Sequence, residues 1–343
     1  MNKHFLLTLC VVCFAVPALA QETSTDSLHV FNAQTNEISS LLLDPSLDFL
    51  EGNIPQGTIE AQPACIVGGE DWEQHSPDHF PYSATVFLTL DNGRGSCSGA
   101  MVGNYTVLTA AHCVLQNPNF NMGKLHDPKG IHAFAGGSQS ELQATATNIF
   151  IPEEVRHVSW GKEFAKHDYA IIVLDKPLGQ ETGYFGVQKT SVAVNEQIAV
   201  LGFPGQRDHL RPWYSPGKVL KVEEGVFYHD ADILPGNSGG PTVKSSNLRN
   251  IIGVVSFEQP AEQINGSSKP ADQALVSFVS QLRHTLPIAT PKRPSVPPHV
   301  KGPTPPLQLP PGIFDSIKRK PQPTPQFPQN ILEQIRRQFK QKQ

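Results

Sequence analysis

The sequence predicts an all-β protein, folded as an antiparallel barrel or sandwich. Short runs of β-branched and aromatic residues alternate with turn residues along the chain after Tyr82. Asn92-Gly93, between two of these runs, is a strong hairpin signal. Many short strands separated by Gly and Pro are typical of antiparallel barrels and sandwiches rather than of alternating α/β folds.

The predicted strands follow one another at short intervals. In chain order they are residues 82–90, 96–102, 131–135, 144–151, 169–174, 197–201, 218–222, 225–228 and 251–257. Residues 271–286 differ, because their apolar side chains at 275, 278, 279, 282 and 286 have helical spacing. Pro287 ends this pattern, so we expect one helix before it.

The first 20 residues are typical of a secretory signal peptide. Lys3 precedes an apolar run over residues 5–16, and Ala18-Leu19-Ala20 offers a cleavage site. The alternative is an N-terminal membrane anchor, but the run is too short for a spanning helix. We therefore expect an exported protein, either secreted or periplasmic.

The remaining chain divides by composition into three parts. Residues 21–65 are polar apart from one apolar patch and are interpreted as a pro-region or a loosely docked N-terminal arm. Residues 66–286 form the predicted globular domain. Residues 287–343 hold 14 of the 31 prolines and carry a charge of +8, against −13 for residues 21–286. This tail is predicted to be disordered and to favour an anionic surface or an acidic partner.

Three motifs carry chemistry. Ser238 lies in Gly236-Asn237-Ser238-Gly239-Gly240-Pro241, a turn that can expose a hydroxyl beside two backbone N–H groups. The alternative for this motif is an ordinary surface turn. His112 ends the run Leu108-Thr109-Ala110-Ala111-His112 and offers a general base. Asp168 opens a long apolar run and offers a carboxylate that orients an imidazole.

The order His112, Asp168, Ser238 resembles the chymotrypsin-like serine proteases over residues 66–286. The sequence is similar to two bacterial branches, the V8 or glutamyl endopeptidase type and the HtrA type. Residues 230–238 resemble the HtrA nucleophile loop, but the proline-rich tail is not a PDZ domain. The resemblance implies two six-stranded antiparallel β-barrels, with the break near residues 175–188. It also implies a disulfide between Cys97 and Cys113.

Cys65 has no evident disulfide partner, since Cys10 and Cys13 lie inside the signal peptide.

One further feature concerns activation. Ile66-Val67-Gly68-Gly69 resembles the activated N-terminus of trypsin-type enzymes, whose amino group pairs with an aspartate before the nucleophile. Asn237 stands there and carries no charge, so we do not expect activation by that route. The alternative is an ordinary strand-entry segment.

The resemblance also implies roles around the nucleophile. The N–H groups of Gly236 and Ser238 are expected to form the oxyanion hole. Ser256 is expected on the strand that pairs with the substrate, and Phe257 and Glu258 beside the specificity pocket. Asp232, six residues before Ser238, favours Lys or Arg as the residue before the scissile bond. Small or aliphatic residues are the rival preference.

Glutamate is disfavoured as that residue. Glutamyl endopeptidases carry a threonine and a histidine where this chain has Ile233 and Val255.

The predicted function is therefore a secreted serine endopeptidase that acts on protein or peptide substrates. We expect no metal, no cofactor and no nucleic-acid partner, and the oligomeric state is not predicted. The alternative is a catalytically silent homologue that binds protein. The histidine, aspartate and serine together favour activity, since a binding module needs none of the three.

Overall fold

The computed structural model describes residues 27–55, 71–116, 124–223, 225–257, 264 and 266–287. Several predicted features lie outside these residues. They are the signal peptide, the Cys65–Gly69 region, the pocket residue Glu258 and the tail from residue 288. In the part that is described, no helix is long and apolar enough to cross a membrane.

Four short strands come from the N-terminal part of the chain. They are β1 (Ser27–Asn32), β2 (Glu37–Leu42), β3 (Phe49–Leu50) and β4 (Glu73–Gln74). The first three belong to residues 27–55, which we call the N-terminal arm. The strand β1 forms an antiparallel hairpin with β2.

Six strands then close into the first barrel. They are β5 (Thr85–Leu90), β6 (Gly95–Met101), β7 (Thr106–Thr109), β8 (His132–Ala135), β9 (Gln143–Pro152) and β10 (Ala170–Leu174). Their order is β10-β7-β6-β5-β8-β9, and β10 also pairs with β9, which closes the barrel. The strand β10 is buried along its whole length, in keeping with its sequence Ala-Ile-Ile-Val-Leu.

The second barrel is built in the same way from six later strands. The strands after the break are β11 (Gly186–Gln188), β12 (Gln197–Gly202), β13 (Trp213–Glu223), β14 (Val226–His229), β15 (Pro241–Lys244), β16 (Asn247–Val255) and β17 (Gly266–Pro270). The closed order is β15-β12-β13-β14-β17-β16, with β15 pairing back to β16. The strand β11 runs parallel to β16 outside this circuit, and β4 pairs with β13. Two six-stranded antiparallel barrels were predicted and are confirmed.

Helices within the described ranges are few and short. The α-helices are α1 (Ala111–Val114), α2 (Lys162–Ala165), α3 (Gly179–Thr182) and α4 (Gln273–Leu282), and 3-10 turns cover Tyr82–Ala84, Asp91–Gly93, Pro128–Gly130 and Glu153–Arg156. The helix α4 lies inside the predicted range 271–286. The Asp272 carboxylate caps it by accepting the Leu275 N–H at 3.0 Å.

The N-terminal arm pairs with a strand of the first barrel and with β11, which extends the second sheet beside the second barrel. The strand β1 is antiparallel to β9, and β3 is antiparallel to β11. Val30 and Phe31 are buried, and the Arg283 guanidinium donates to the Glu51 carbonyl at 2.6 Å. The arm is therefore docked through backbone pairing and side-chain burial. Its removal as a pro-region stays a prediction.

All nine strands expected from the sequence overlap observed strands. The strands that were not predicted are β1 to β4, β7, β11, β15 and β17, which are short or polar. For example, β17 reads Gly-Ser-Ser-Lys-Pro, although Ser268 and Lys269 are almost completely buried. The hairpin predicted at Asn92-Gly93 joins β5 to β6, with positive φ at residues 91–93.

Candidate active site

The structure brings His112 and Asp168 into direct contact. His112 lies on α1, immediately after β7, and Asp168 precedes β10. The Nδ1 atom of His112 is 2.8 Å from Asp168 Oδ2, and the His112 backbone N–H donates to Oδ1 at 3.0 Å. Asp168 is fully buried, whereas the His112 side chain is 14% exposed. A buried carboxylate at this distance places the ring proton on Nδ1 and leaves Nε2 as the acceptor.

A third hydrogen bond to Asp168 comes from the second barrel. Ser256, directly after β16, donates its hydroxyl to Asp168 Oδ2 at 2.5 Å. The sequence placed Ser256 beside the substrate and did not indicate this contact. Because Ser256 is almost completely buried, the bond joins the two barrels at the Asp168 carboxylate. It satisfies lone pairs of a charge that has no access to water.

The nucleophile loop, residues 234–240, lies against the segment that leads to His112. A Cβ atom on Gly239 would fall 2.1 Å from Thr109 Oγ1 and 2.7 Å from the Ala110 nitrogen, so only glycine fits there. The Ser238 carbonyl accepts the Ser98 N–H at 2.8 Å and is 3.6 Å from Cys113 Sγ. These contacts place half-buried Ser238 beside the residue that follows His112.

A disulfide joins Cys97 of β6 to Cys113 of α1. This is the pair that the sequence resemblance implied. It ties the turn that carries His112 to the strand that contacts the Ser238 carbonyl. The two sulfurs lie near His112, but as disulfide sulfurs they are not the thiolates that a metal site needs.

The N–H groups expected to form the oxyanion hole have a defined orientation. The Pro235 carbonyl accepts the Gly205 N–H at 2.6 Å, and the Asn237 carbonyl accepts the Gly240 N–H at 2.8 Å. In a trans peptide the N–H points opposite to the carbonyl. The N–H groups of Gly236 and Ser238 therefore point away from those partners. Neither has an acceptor among the described residues.

Two residues near the predicted specificity pocket, Ile233 and Val255, are buried and apolar, and a histidine lies close to Ile233. Ile233 is 8% exposed, and a Cβ atom on Gly266 would meet Ile233 Cδ1 at 2.6 Å and His229 Cε1 at 2.8 Å. Val255 is buried and pairs with Ser268 of β17. Asp232 is half-buried.

His229 is a buried histidine that the sequence analysis did not single out. Its Nδ1 is 3.3 Å from the Ala231 carbonyl, and its Nε2 is 3.3 Å from Ser268 Oγ. The Ser268 hydroxyl is in turn 2.7 Å from Thr242 Oγ1. Burial lowers the pKa of His229 to about 4, and the Ala231 carbonyl opposes this shift. His229 is therefore a neutral ring at physiological pH.

An aromatic wall stands beside the catalytic histidine candidate. The Trp160 ring meets the His112 ring edge to face, with 5.3 Å between centroids. Phe164 and Phe257 lie 5.0 and 6.3 Å from the Trp160 ring, and Trp160 is 39% exposed. The sequence predicted a role for Phe257 but gave no signal for Trp160, which lies in a segment without strand or helix periodicity.

Comparison with known proteins supports the resemblance to chymotrypsin-like serine proteases found in the sequence. The family described as Trypsin matches residues 66–273. A glutamyl endopeptidase of Bacillus licheniformis is 28% identical over 207 residues, which are 59% of this chain and 62% of that relative, less than two thirds of its length. A glutamyl endopeptidase of Staphylococcus epidermidis is 24% identical over 271 residues, covering 74% of this chain and 88% of the relative.

Solved structures show the same fold. A Glu endopeptidase superposes with a TM-score of 0.56 at 20% identity, covering 64% of this chain and all of that chain. The protease Anisep from Arthrobacter nicotinovorans gives a TM-score of 0.51 at 17% identity, covering 63% of this chain and all of that one. At these identities the likeness concerns the fold alone.

The family match extends across both barrels and includes the histidine, the aspartate and the nucleophile loop. It covers more than half of the 343 residues. On this basis, the chain belongs to the trypsin family of serine endopeptidases.

Proposed function

We propose that His112, Asp168 and Ser238 act together as a catalytic triad that hydrolyses peptide bonds in proteins. The observation that carries this proposal is the hydrogen-bonded pair of His112 and fully buried Asp168, 2.8 Å apart. The pair can act as a general base only if His112 Nε2 receives a proton from a neighbouring group. The hydroxyl of Ser238 is the candidate, because its loop packs against the segment before His112.

In the proposed reaction, His112 Nε2 takes the Ser238 hydroxyl proton while the oxygen attacks the peptide carbonyl. Asp168 holds the ring and stabilises its charged form. The N–H groups of Gly236 and Ser238 stabilise the oxyanion. His112 then protonates the leaving amine, and the C–N bond breaks, which releases the amine and leaves the acyl-enzyme. Water hydrolyses the ester in the same way, with His112 as the base.

The silent homologue remains the second candidate function, in which the chain binds proteins without cutting them. The polar contacts around Asp168 support activity instead. Three hydrogen bonds hold that buried carboxylate in place, and Ser256 is one of the donors. A binding module gains nothing from a buried charge oriented toward a histidine.

Labelling by a fluorophosphonate probe tests the proposal. The purified protein should react at Ser238 and cleave casein, and Ser238→Ala should lose both activities while keeping its fold. His112→Ala and Asp168→Asn should each lower turnover by orders of magnitude, without adding to the loss in Ser238→Ala. An unlabelled, inactive parent would favour the silent homologue.

The proposal also covers the export of the protein, its substrate preference and the role of its basic tail. The signal-like N-terminus supports export to the periplasm or the medium. Glutamate preference, which the names of the relatives raise, is not supported by Ile233 and Val255, because both are buried apolar residues. We propose Lys or Arg instead. The basic tail serves an anionic surface or an acidic partner rather than catalysis.

A further inference from the structure

We propose that Ser98 is a positioning residue of the oxyanion hole, acting from the first barrel on the nucleophile loop of the second. This inference rests on the proposed function. Ser98 lies on β6, next to disulfide-bonded Cys97, and has no exposed surface.

The Ser98 hydroxyl makes two hydrogen bonds. It donates to the Gly236 carbonyl at 2.7 Å and accepts the Phe203 N–H at 2.8 Å. The backbone of Ser98 makes two more bonds, since its N–H donates to the Ser238 carbonyl and its carbonyl accepts the Thr109 hydroxyl, both at 2.8 Å. A glycine or alanine at this position keeps the backbone bonds. The hydroxyl therefore has a separate role.

That role follows from the order of peptide units in the nucleophile loop. The two oxyanion donors, Gly236 N–H and Ser238 N–H, are separated by the single peptide unit between Gly236 and Asn237. The Ser98 hydroxyl holds the carbonyl of this unit, and the Leu234 carbonyl accepts its N–H at 3.0 Å. Because the unit is planar, holding both ends fixes its orientation, and the angle between the two donors then depends only on the backbone dihedrals of Gly236 and Asn237.

The same hydroxyl also acts through a second route. By accepting the Phe203 N–H, Ser98 holds the segment that continues to Gly205. The Gly205 N–H in turn donates to the Pro235 carbonyl at 2.6 Å. This bond turns the Gly236 N–H in the opposite direction, toward the place where the oxyanion forms. One hydroxyl thus orients the peptide units on both sides of Gly236.

The loop needs such a clamp because of Gly236. Its φ of +107° lies in a region open to glycine, where neighbouring peptide units rotate at little cost. Without the hydroxyl, the buried Gly236 carbonyl and Phe203 N–H lose their partner, which favours rotation of that peptide toward another donor. The Asn237 Oδ1 accepts the Leu234 N–H within the loop, whereas the buried Asn237 Nδ2 has no acceptor among the described residues, so Nδ2 is a donor toward which the freed Gly236 carbonyl can rotate.

The Ser98 hydroxyl is closely packed. A Cβ atom on neighbouring Gly202 would meet Ser98 Oγ and Asn237 Nδ2, each at 2.8 Å. Ser98→Ala therefore removes the buried partner of the Gly236 carbonyl and of the Phe203 N–H.

The test compares the parent with Ser98→Ala and Ser98→Gly on a short chromogenic peptide, with active enzyme counted by burst titration. We expect kcat per active site to fall about 10- to 100-fold, less than the roughly 10²- to 10³-fold loss of a donor itself. KM should change less than about 3-fold, because ground-state binding does not use the oxyanion contacts. Affinity for a peptide aldehyde, which forms the tetrahedral adduct, should fall by the same factor as kcat/KM.

Ser277→Ala is the matched control. Ser277 is also buried, and its hydroxyl accepts the Asp44 N–H at 3.3 Å on α4, away from the nucleophile loop. It should lower thermal stability and leave kcat and aldehyde affinity unchanged. Unchanged kcat in folded Ser98→Ala or Ser98→Gly, or equal losses of aldehyde and substrate affinity, would overturn the inference. Neither result touches the proposed function, which is tested separately by the activity of the parent and its loss in Ser238→Ala.

Discussion

Acid should destabilise this protein through His229, because the folded state holds that ring neutral. The pKa of His229 falls from 6.5 to about 4 on burial. Between these values the unfolded chain takes up a proton that the folded protein refuses, so unfolding becomes more favourable as pH falls. The stability that depends on His229 is complete above pH 6.5 and is lost progressively down to pH 4.

The size of the effect follows from the shift. One pKa unit corresponds to 1.36 kcal/mol, so the full loss approaches about 3 kcal/mol at pH 4 and below, and is about 2 kcal/mol at pH 5. His229→Gln removes the titrating ring while keeping a polar side chain. The variant should therefore lose about 2 kcal/mol less than the parent between pH 7 and pH 5.

Urea unfolding at the two pH values measures this difference. Both proteins should carry Ser238→Ala, which prevents self-digestion during the measurement. Other acid-sensitive groups are the same in both and cancel in the comparison. An equal pH dependence of the two unfolding free energies would refute the reasoning. So would a His229 ring resonance that titrates with a midpoint above pH 6.

Two further predictions concern the disulfide and the specificity pocket. Replacing Cys97 and Cys113 by serine should lower the unfolding free energy by about 3 kcal/mol, because the bond closes a loop of 16 residues; peptide mapping that finds Cys65 bonded to either one would contradict the pairing. Profiling with a peptide library should show Lys or Arg before the scissile bond, given half-buried Asp232. Strict cleavage after glutamate would show that the pocket works by other groups.

The sequence predicted the parts of the site that are local in the chain. His112, Asp168 and Ser238 each sit in a short motif whose turn or strand residues determine the local geometry. Ser98 and Trp160 carry no such signal, because their contacts reach residues far away in the sequence. Sequence periodicity does not report hydrogen bonds between barrels.

The strands also differ in whether a local sequence pattern predicts them. Strands with a clear apolar pattern, such as β10, were predicted, whereas β17 was not, because its buried positions hold Ser268 and Lys269. Lys269 is buried because Asp272 pairs with its ammonium group. Burial of a polar strand depends on such a partner elsewhere in the chain, which a short sequence window does not contain.

The docked N-terminal arm has a consequence for maturation. The strand β1 covers β9 where its pairing with β8 has ended, and β3 covers β11. If the chain is cut between residues 55 and 71, the arm becomes a second polypeptide. Its strand pairing and its buried side chains still hold it on the protein. Losing the arm would leave two unprotected strand edges, which are templates for self-association. A recombinant form that starts at Ile66 is therefore expected to aggregate, and one that starts at Ser27 retains its own edge protection.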